Sequence, residues 1–154
     1  WSSDVCSSDL INDWPSDQAS IKGQCRVQAV VDYYGPTDLT ALAKEKGFER
    51  HAQAGSAESR LLGGPVLELP AEADRANPIT YISPDDPPFF IVHGASDPVV
   101  APSQSQLLHN ALKAKGVQSE LTLIPGAGHG GPQFIEARLM DQVHQFLARA
   151  LSIK

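Results

Sequence analysis

The chain has 154 residues, 42% hydrophobic and 19% charged, with 12 Gly and 12 Pro. That balance suits one globular core and excludes disordered, collagen-like and coiled-coil chains, which need stronger compositional bias. A formal charge of −6 without any Lys/Arg run argues against a nucleic-acid partner, and no stretch approaches the roughly 20 apolar residues of a membrane-spanning helix.

Trp1 to Leu10 reads WSSDVCSSDL, without apolar periodicity. It has neither the basic start nor the apolar run of about 7–15 residues that marks a secretory signal. All ten residues match an in-frame translation of a common short-read sequencing adapter; an ordinary polar tail is the alternative. Residues 1–10 are therefore read as an artefactual, adapter-derived tail, and 11–154 as one part of a single domain. Dropping Asp4 and Asp9 takes the formal charge from −6 to −4. Cys6 lies in the tail, so the cysteines say nothing about redox compartment. Cys25 reads as a small buried hydrophobe rather than a nucleophile.

Residues 11–24 are polar and irregular and read as a loop. Arg26 to Tyr34 is β-branched and aromatic and ends at Gly35-Pro36, which predicts a buried strand. Residues 37–86 read as a cap-like insertion with a short helix near 38–47. A second helix is expected at Ser56–Leu62, with Ser56 as N-cap and Gly63-Gly64 as the stop. Phe89–His93 is a second strand closed by Gly94. Ser103 is expected to cap a helix to Lys115 with Leu107, Leu108, Ala111 and Leu112 on one face. Glu120–Ile124 is a third strand. A last helix is expected from about Pro132 to Leu151, its apolar stripe being Ile135, Leu139, Val143, Phe146 and Leu147.

Strands alternating with helices at this spacing predict an α/β fold with a mostly parallel sheet, flanking helices and right-handed crossovers. Loops after adjacent parallel strands open on one sheet edge, where such folds place ligands. Gly94–Pro98 and Pro125–Gly131 should therefore face one crevice.

Each of those loops holds one residue of catalytic type, Asp97 and His129. A carboxylate bonded to one imidazole nitrogen fixes the tautomer and frees the other nitrogen to take a proton. Glycines around His129 let backbone approach without Cβ clashes. Taken singly, Asp97 reads as a turn former before Pro98 and His129 as a loop histidine; their shared position after strand ends favours the catalytic pairing. His93 and Asp97 form an i, i+4 pair without further metal ligands at suitable spacing, so His93 reads as structural. His51 falls in the insertion, and His109 and His144 sit on predicted helices. Asp85-Asp86, before Pro87-Pro88, reads as a turn rather than a glycosidase pair.

An Asp–His dyad needs a nucleophile, yet G-x-S-x-G does not occur in the sequence. Gly94-Ala95-Ser96 comes nearest, but Pro98 stands at the closing position. Ser56 has its glycine at the wrong spacing, and S-x-x-K is absent. The expected serine lies upstream of Asp97, after a strand preceding residues 26–34.

VQAVVDYYGPTDL (27–39), SRLLGGP (59–65), ANPITYISPDDPP (76–88), HGASDPVVAP (93–102) and PGAGHGG (125–131) together resemble bacterial α/β-hydrolase esterases. The likeness is to feruloyl- and acetyl-esterase-like enzymes of the prolyl oligopeptidase and hormone-sensitive lipase branches. It runs from about residue 26 onward and implies the C-terminal portion of an α/β-hydrolase fold, here the last three strands of eight. It implies Asp97 as triad acid and His129 as triad base, with the serine and the glycine-rich oxyanion loop missing. The expected function is serine carboxylesterase chemistry in the parent protein and none in this chain. Tyr33, Tyr34 and Pro36 are expected near the acyl or alcohol pocket. The expected substrate is a small-molecule or carbohydrate-linked ester, with no cofactor and no metal. A prolyl-oligopeptidase-type peptidase and a non-catalytic hydrolase-like binding module are the rivals. The strand at 26–34 is expected to present a bare apolar edge and lower solubility.

Overall fold

The computed structural model describes residues 27–152. The adapter-like segment, the loop at 11–24 and Cys25 lie outside the described residues. Three strands form one parallel sheet in the order β1 (Val30–Tyr33), β2 (Phe89–Gly94) and β3 (Ser119–Ile124). Val31 pairs with Phe90 and Tyr33 with Val92, while Ile91 pairs with Leu121. Among the described residues, β1 is an edge strand. It is shorter than the nine-residue run suggested, because Val27 to Ala29 take no strand geometry.

The period-2 alternation of β2 places its side chains on two faces, and each face finds its own helix. Ile91 packs with Leu108 and Leu112 of α4 (Ser103–Ala114) and with Val117 and Ile82. Phe90 and Val92 pack on the other face against Leu139, Val143 and Phe146 of α5 (Ala137–Ala150), with Phe134 and Ala127. The strand is apolar on both faces because both are covered. It is the central strand of the described sheet.

Between β1 and β2 run α1 (Leu39–Lys44), α2 (Ala57–Leu62) and α3 (Pro70–Ala76), linked by 3₁₀ turns at Glu49–Ala52, Val66–Glu68 and Pro78–Tyr81. Asp38 caps α1, its Oδ1 accepting from the Ala41 amide at 2.8 Å. Ser56 caps α2 as expected, its Oγ accepting from the Ser59 amide at 3.0 Å, and the helix stops at Gly63. Leu39, Ala43, Val66 and Ala73 form a small apolar cluster of their own beneath this segment. The turn at Asp85-Asp86 is built as expected: the Ser83 amide donates to Asp86 Oδ2 at 3.1 Å and its hydroxyl to Asp85 Oδ1 at 2.7 Å.

Three local expectations change. Ser103 does not cap α4; Pro102 stands at the N-cap and Ser103 is the first helical residue, its hydroxyl donating to Glu45 Oε2. Leu107 is turned outward, so the packed stripe of α4 is Leu108, Ala111 and Leu112. The last helix is interrupted: Pro132–Ile135 is a 3₁₀ turn, Glu136 is extended, and α5 starts at Ala137. Ile135 is consequently 75% exposed. Its spacing matches the helical stripe, but the extended residue after it rotates the earlier turn off that face.

Leu112 is fully buried between α4 and the sheet. Leu112→Ala is expected to cost about 2–5 kcal/mol of unfolding free energy, from lost burial plus the cavity left behind. Urea unfolding followed by circular dichroism measures it; a loss under about 1 kcal/mol would show that this face is not a packed core.

Candidate active site

Asp97 and His129 meet at the C-terminal edge of the sheet. β2 ends at Gly94 and turns through residues 95–98; β3 ends at Ile124 and turns through residues 125–131. The two turns are laced together. The Ala95 amide donates to Ile124 O and the Ser96 amide to Ala127 O, both at 2.9 Å. Gly94 makes this approach possible, since a Cβ there would stand 2.1 Å from Gly128 O and 2.5 Å from Ala127 O. No side chain fits in that gap, so glycine is required by close approach of backbone to backbone.

His129 Nδ1–H donates to Asp97 Oδ2 at 2.8 Å. The Asp97 side chain is fully buried, whereas that of His129 is 32% exposed. Asp97 is thus sealed while His129 is partly open to solvent, with no described residue bonded to Nε2. The other carboxylate oxygen is held by backbone: Asp97 Oδ1 accepts from the Val99 amide at 2.7 Å and the Val100 amide at 3.0 Å. A carboxylate with both oxygens satisfied can remain buried without the penalty of an unpaired charge.

His93 completes the support and is fully buried. Its Nε2 faces Val100 O at 3.0 Å and Asp97 Oδ2 at 3.2 Å. Both are acceptors, so Nε2 carries the proton and Nδ1 accepts from the Ser105 hydroxyl at 2.6 Å. His93 is therefore a structural donor to the acid, in keeping with its reading from sequence. Its partner Ser105 was not singled out there, because nothing local links the first turn of α4 to a strand end.

Tyr34 sits beside the dyad. Its amide donates to Val92 O at 2.8 Å, and its φ of +48° puts a non-glycine residue in the left-handed region. Such a conformation costs on the order of 1–3 kcal/mol and persists where surroundings enforce it. Here the ring lies 4.6 Å from the His129 ring and 5.0 Å, edge-on, from Phe134. Gly130, at φ +93°, passes next to the Tyr34 hydroxyl. Pro36 is half-buried two residues on, and no hydrogen bond or ring contact links it to the dyad. Phe134 carried no signal in the sequence beyond apolarity.

Asp32 of β1 faces the α4 side of the sheet, across from Ile91. Burial pushes its carboxyl above the ordinary range, opposed by the bond from the Gly35 amide (3.2 Å). Among the remaining histidines, His109 Nδ1 meets Ser119 Oγ at 2.9 Å, with burial pushing its pKa down, and His144 is exposed.

Asp97 and His129 thus meet as a buried carboxylate hydrogen-bonded to a partly exposed imidazole, on two turns locked together at a parallel sheet edge. The BD-FAE family model matches residues 8–112, a span that includes Asp97 and ends before His129. The chain belongs to the BD-FAE family. Esterase LipQ of Mycobacterium tuberculosis is 31% identical over 104 residues, 67% of this chain and 24% of LipQ. A truncated form of a carbohydrate esterase from gut microbiota superposes with a TM-score of 0.71 at 30% identity, over 80% of this chain and 42% of that one. A bifunctional GH43-CE protein of Bacteroides eggerthii gives 0.70 at 37% identity, over 81% of this chain and 17% of its own. The chain thus spans about a quarter of LipQ and under half of either structure. Its parallel sheet with flanking helices is a portion of the α/β-hydrolase fold.

Two outcomes follow from this geometry. Gly94→Ala must drive the two turns apart, and a loss of at least about 1–3 kcal/mol is expected; thermal unfolding measures it, and an unchanged midpoint would contradict the close approach. For Asp32, a raised folded-state pKa means the native state binds the extra proton. Its contribution to stability is then fully present below the unfolded pKa and lost as pH rises through the folded one. Asp32→Asn should raise the unfolding midpoint at pH 7 and leave it unchanged near pH 3, the amide oxygen still accepting from Gly35. Equal effects at both pH values would refute the burial cost.

Proposed function

We propose that the chain carries the acid and base of a serine carboxylesterase, with Asp97 and His129 in those roles and the nucleophilic serine outside residues 27–152. The observation that carries the reading is the 2.8 Å bond from His129 Nδ1–H to the buried Asp97, which leaves Nε2 as the proton-accepting nitrogen. The incoming serine would give its proton to Nε2 as its oxygen attacks the ester carbonyl. Asp97 would stabilise the resulting imidazolium without itself being protonated. The imidazolium then returns the proton to the departing alcohol oxygen, and water, activated at the same nitrogen, releases the acid from the acyl-enzyme.

The substrate we propose is a small-molecule or carbohydrate-linked ester. This is supported by membership of the BD-FAE family and by the likeness to an esterase and to a carbohydrate esterase. Tyr34, through its ring on His129, and Pro36 beside it are proposed to line the acyl or alcohol pocket. Residues 37–86 are proposed as a cap-like insertion, a reading supported by their separate apolar cluster. Residues 1–10 are proposed as an adapter-derived tail ahead of one hydrolase portion.

The 154-residue chain is expected to show no turnover of a p-nitrophenyl acyl ester. A parent protein supplying a nucleophile elbow should turn it over, with Asp97→Asn and His129→Ala each lowering kcat by about 10³–10⁴. Turnover by the chain itself that His129→Ala abolishes would place the nucleophile within it. A parent indifferent to both substitutions would remove the dyad assignment.

A further inference from the structure

Asp97 Oδ1 is held by two peptide groups, and the opposite end of each is gripped by one short turn of the helical segment. The amide of Val99 shares its peptide plane with the carbonyl of Pro98, and the amide of Val100 shares its plane with the carbonyl of Val99. Arg50 Nη2 donates to Pro98 O and, at 2.8 Å, to Val99 O. His51 Nε2 lies 2.8 Å from Val99 O. A carbonyl can only accept, so Nε2 carries the proton. The far nitrogen, Nδ1, meets Glu58 Oε1 at 2.9 Å, sharing one proton with it. His51 and Glu58 are both buried, and the Phe48 ring stacks on the imidazole.

A continuous chain of polar contacts therefore runs from α2 to the catalytic base: Glu58, His51, the Val99–Val100 peptide, Asp97, His129. A donor on a peptide oxygen fixes the plane of that peptide and polarises its N–H toward a better donor. The two amides that orient Asp97 thus owe their direction to residues on the Glu49–Ala52 turn, nearly 50 positions earlier in the chain.

We propose that His51, held by Glu58 and assisted by Arg50, is a positioning residue for the catalytic dyad. It locks the Val99–Val100 peptide so that Asp97 presents Oδ2 to His129. This rests on the reading of Asp97 and His129 as acid and base. It assigns the helical segment a part in assembling that site, beyond covering it. Arg50 is exposed and its contribution is the smaller one, since solvent competes for its donors.

The test is the Nδ1 proton of His129 in the 154-residue chain labelled with ¹⁵N-histidine, assigned by its loss in His129→Gln. The unsubstituted chain should give a low-field, slowly exchanging resonance. In His51→Ala it should exchange about five to ten times faster and move upfield, the scale of one lost hydrogen bond. His51→Gln restores a donor to Val99 O and should recover the resonance, as should added imidazole in His51→Ala. Leu112→Ala, which weakens the core on the α4 side without touching this chain of contacts, should leave it in place. If His51→Ala fails to fold, His51→Leu, of similar bulk but without a donor, is set against His51→Gln: a resonance kept in Gln but faster-exchanging in Leu supports the proposal, and equal resonances in both overturn it. An unchanged resonance in folded His51→Ala overturns the positioning role while the dyad stands. Absence of the resonance from the unsubstituted chain removes the dyad and this proposal together.

Discussion

The Asp97 carboxylate is the constraint around which the described structure is arranged. A buried carboxylate is tolerable only when its oxygens are occupied by donors. Here the donors come from four places: the Val99 and Val100 amides on Oδ1, and His129 and His93 on Oδ2. Each donor has its own anchor. His129 is delivered by the turn after β3, His93 by the end of β2 and by Ser105 of α4, and the two amides by the grip of Arg50 and His51 on their carbonyls.

The packing beneath the site serves this meeting of elements. α4 and α5 cover opposite faces of the central strand, so β2 is immobilised on both sides and its C-terminal turn starts from a fixed point. Gly94 then lets the turn after β3 fold onto the turn after β2 at backbone contact distance. Gln104, buried in the first turn of α4, accepts from the Thr37 and Asp38 amides at 3.0 and 2.8 Å and ties the loop after β1 to the same helix. Tyr34 lies in that loop's approach, where a left-handed residue bends the chain so that its ring reaches His129.

Much of this was legible from residue order. The apolar runs at 89–93 and 120–124 are strands, the Ser56 and Gly63 signals bound a helix, and Asp97 and His129 share a sheet edge. What failed did so for local reasons. Ile135 has the right spacing for the last helix, but an extended Glu136 breaks the register. Ser103 has the right chemistry for a cap, but Pro102 takes the position and the hydroxyl finds Glu45 instead.

By itself the amino-acid order determined the α/β character, the parallel arrangement and the pair of turns that bring Asp97 and His129 together. These follow from short-range periodicity and from the rule that successive parallel strands end on one side. Only the tertiary structure decided which residues hold the acid in place. His51 and Glu58 look like unremarked polar residues of a helical stretch, and Ser105 like an ordinary helix position. Their roles arise because the Glu49–Ala52 turn lies against the loop after β2, bringing a buried imidazole to a backbone carbonyl 48 residues away. Hydrogen bonds across such separations leave no periodic trace, since they depend on where elements dock and not on which residues neighbour one another in the chain.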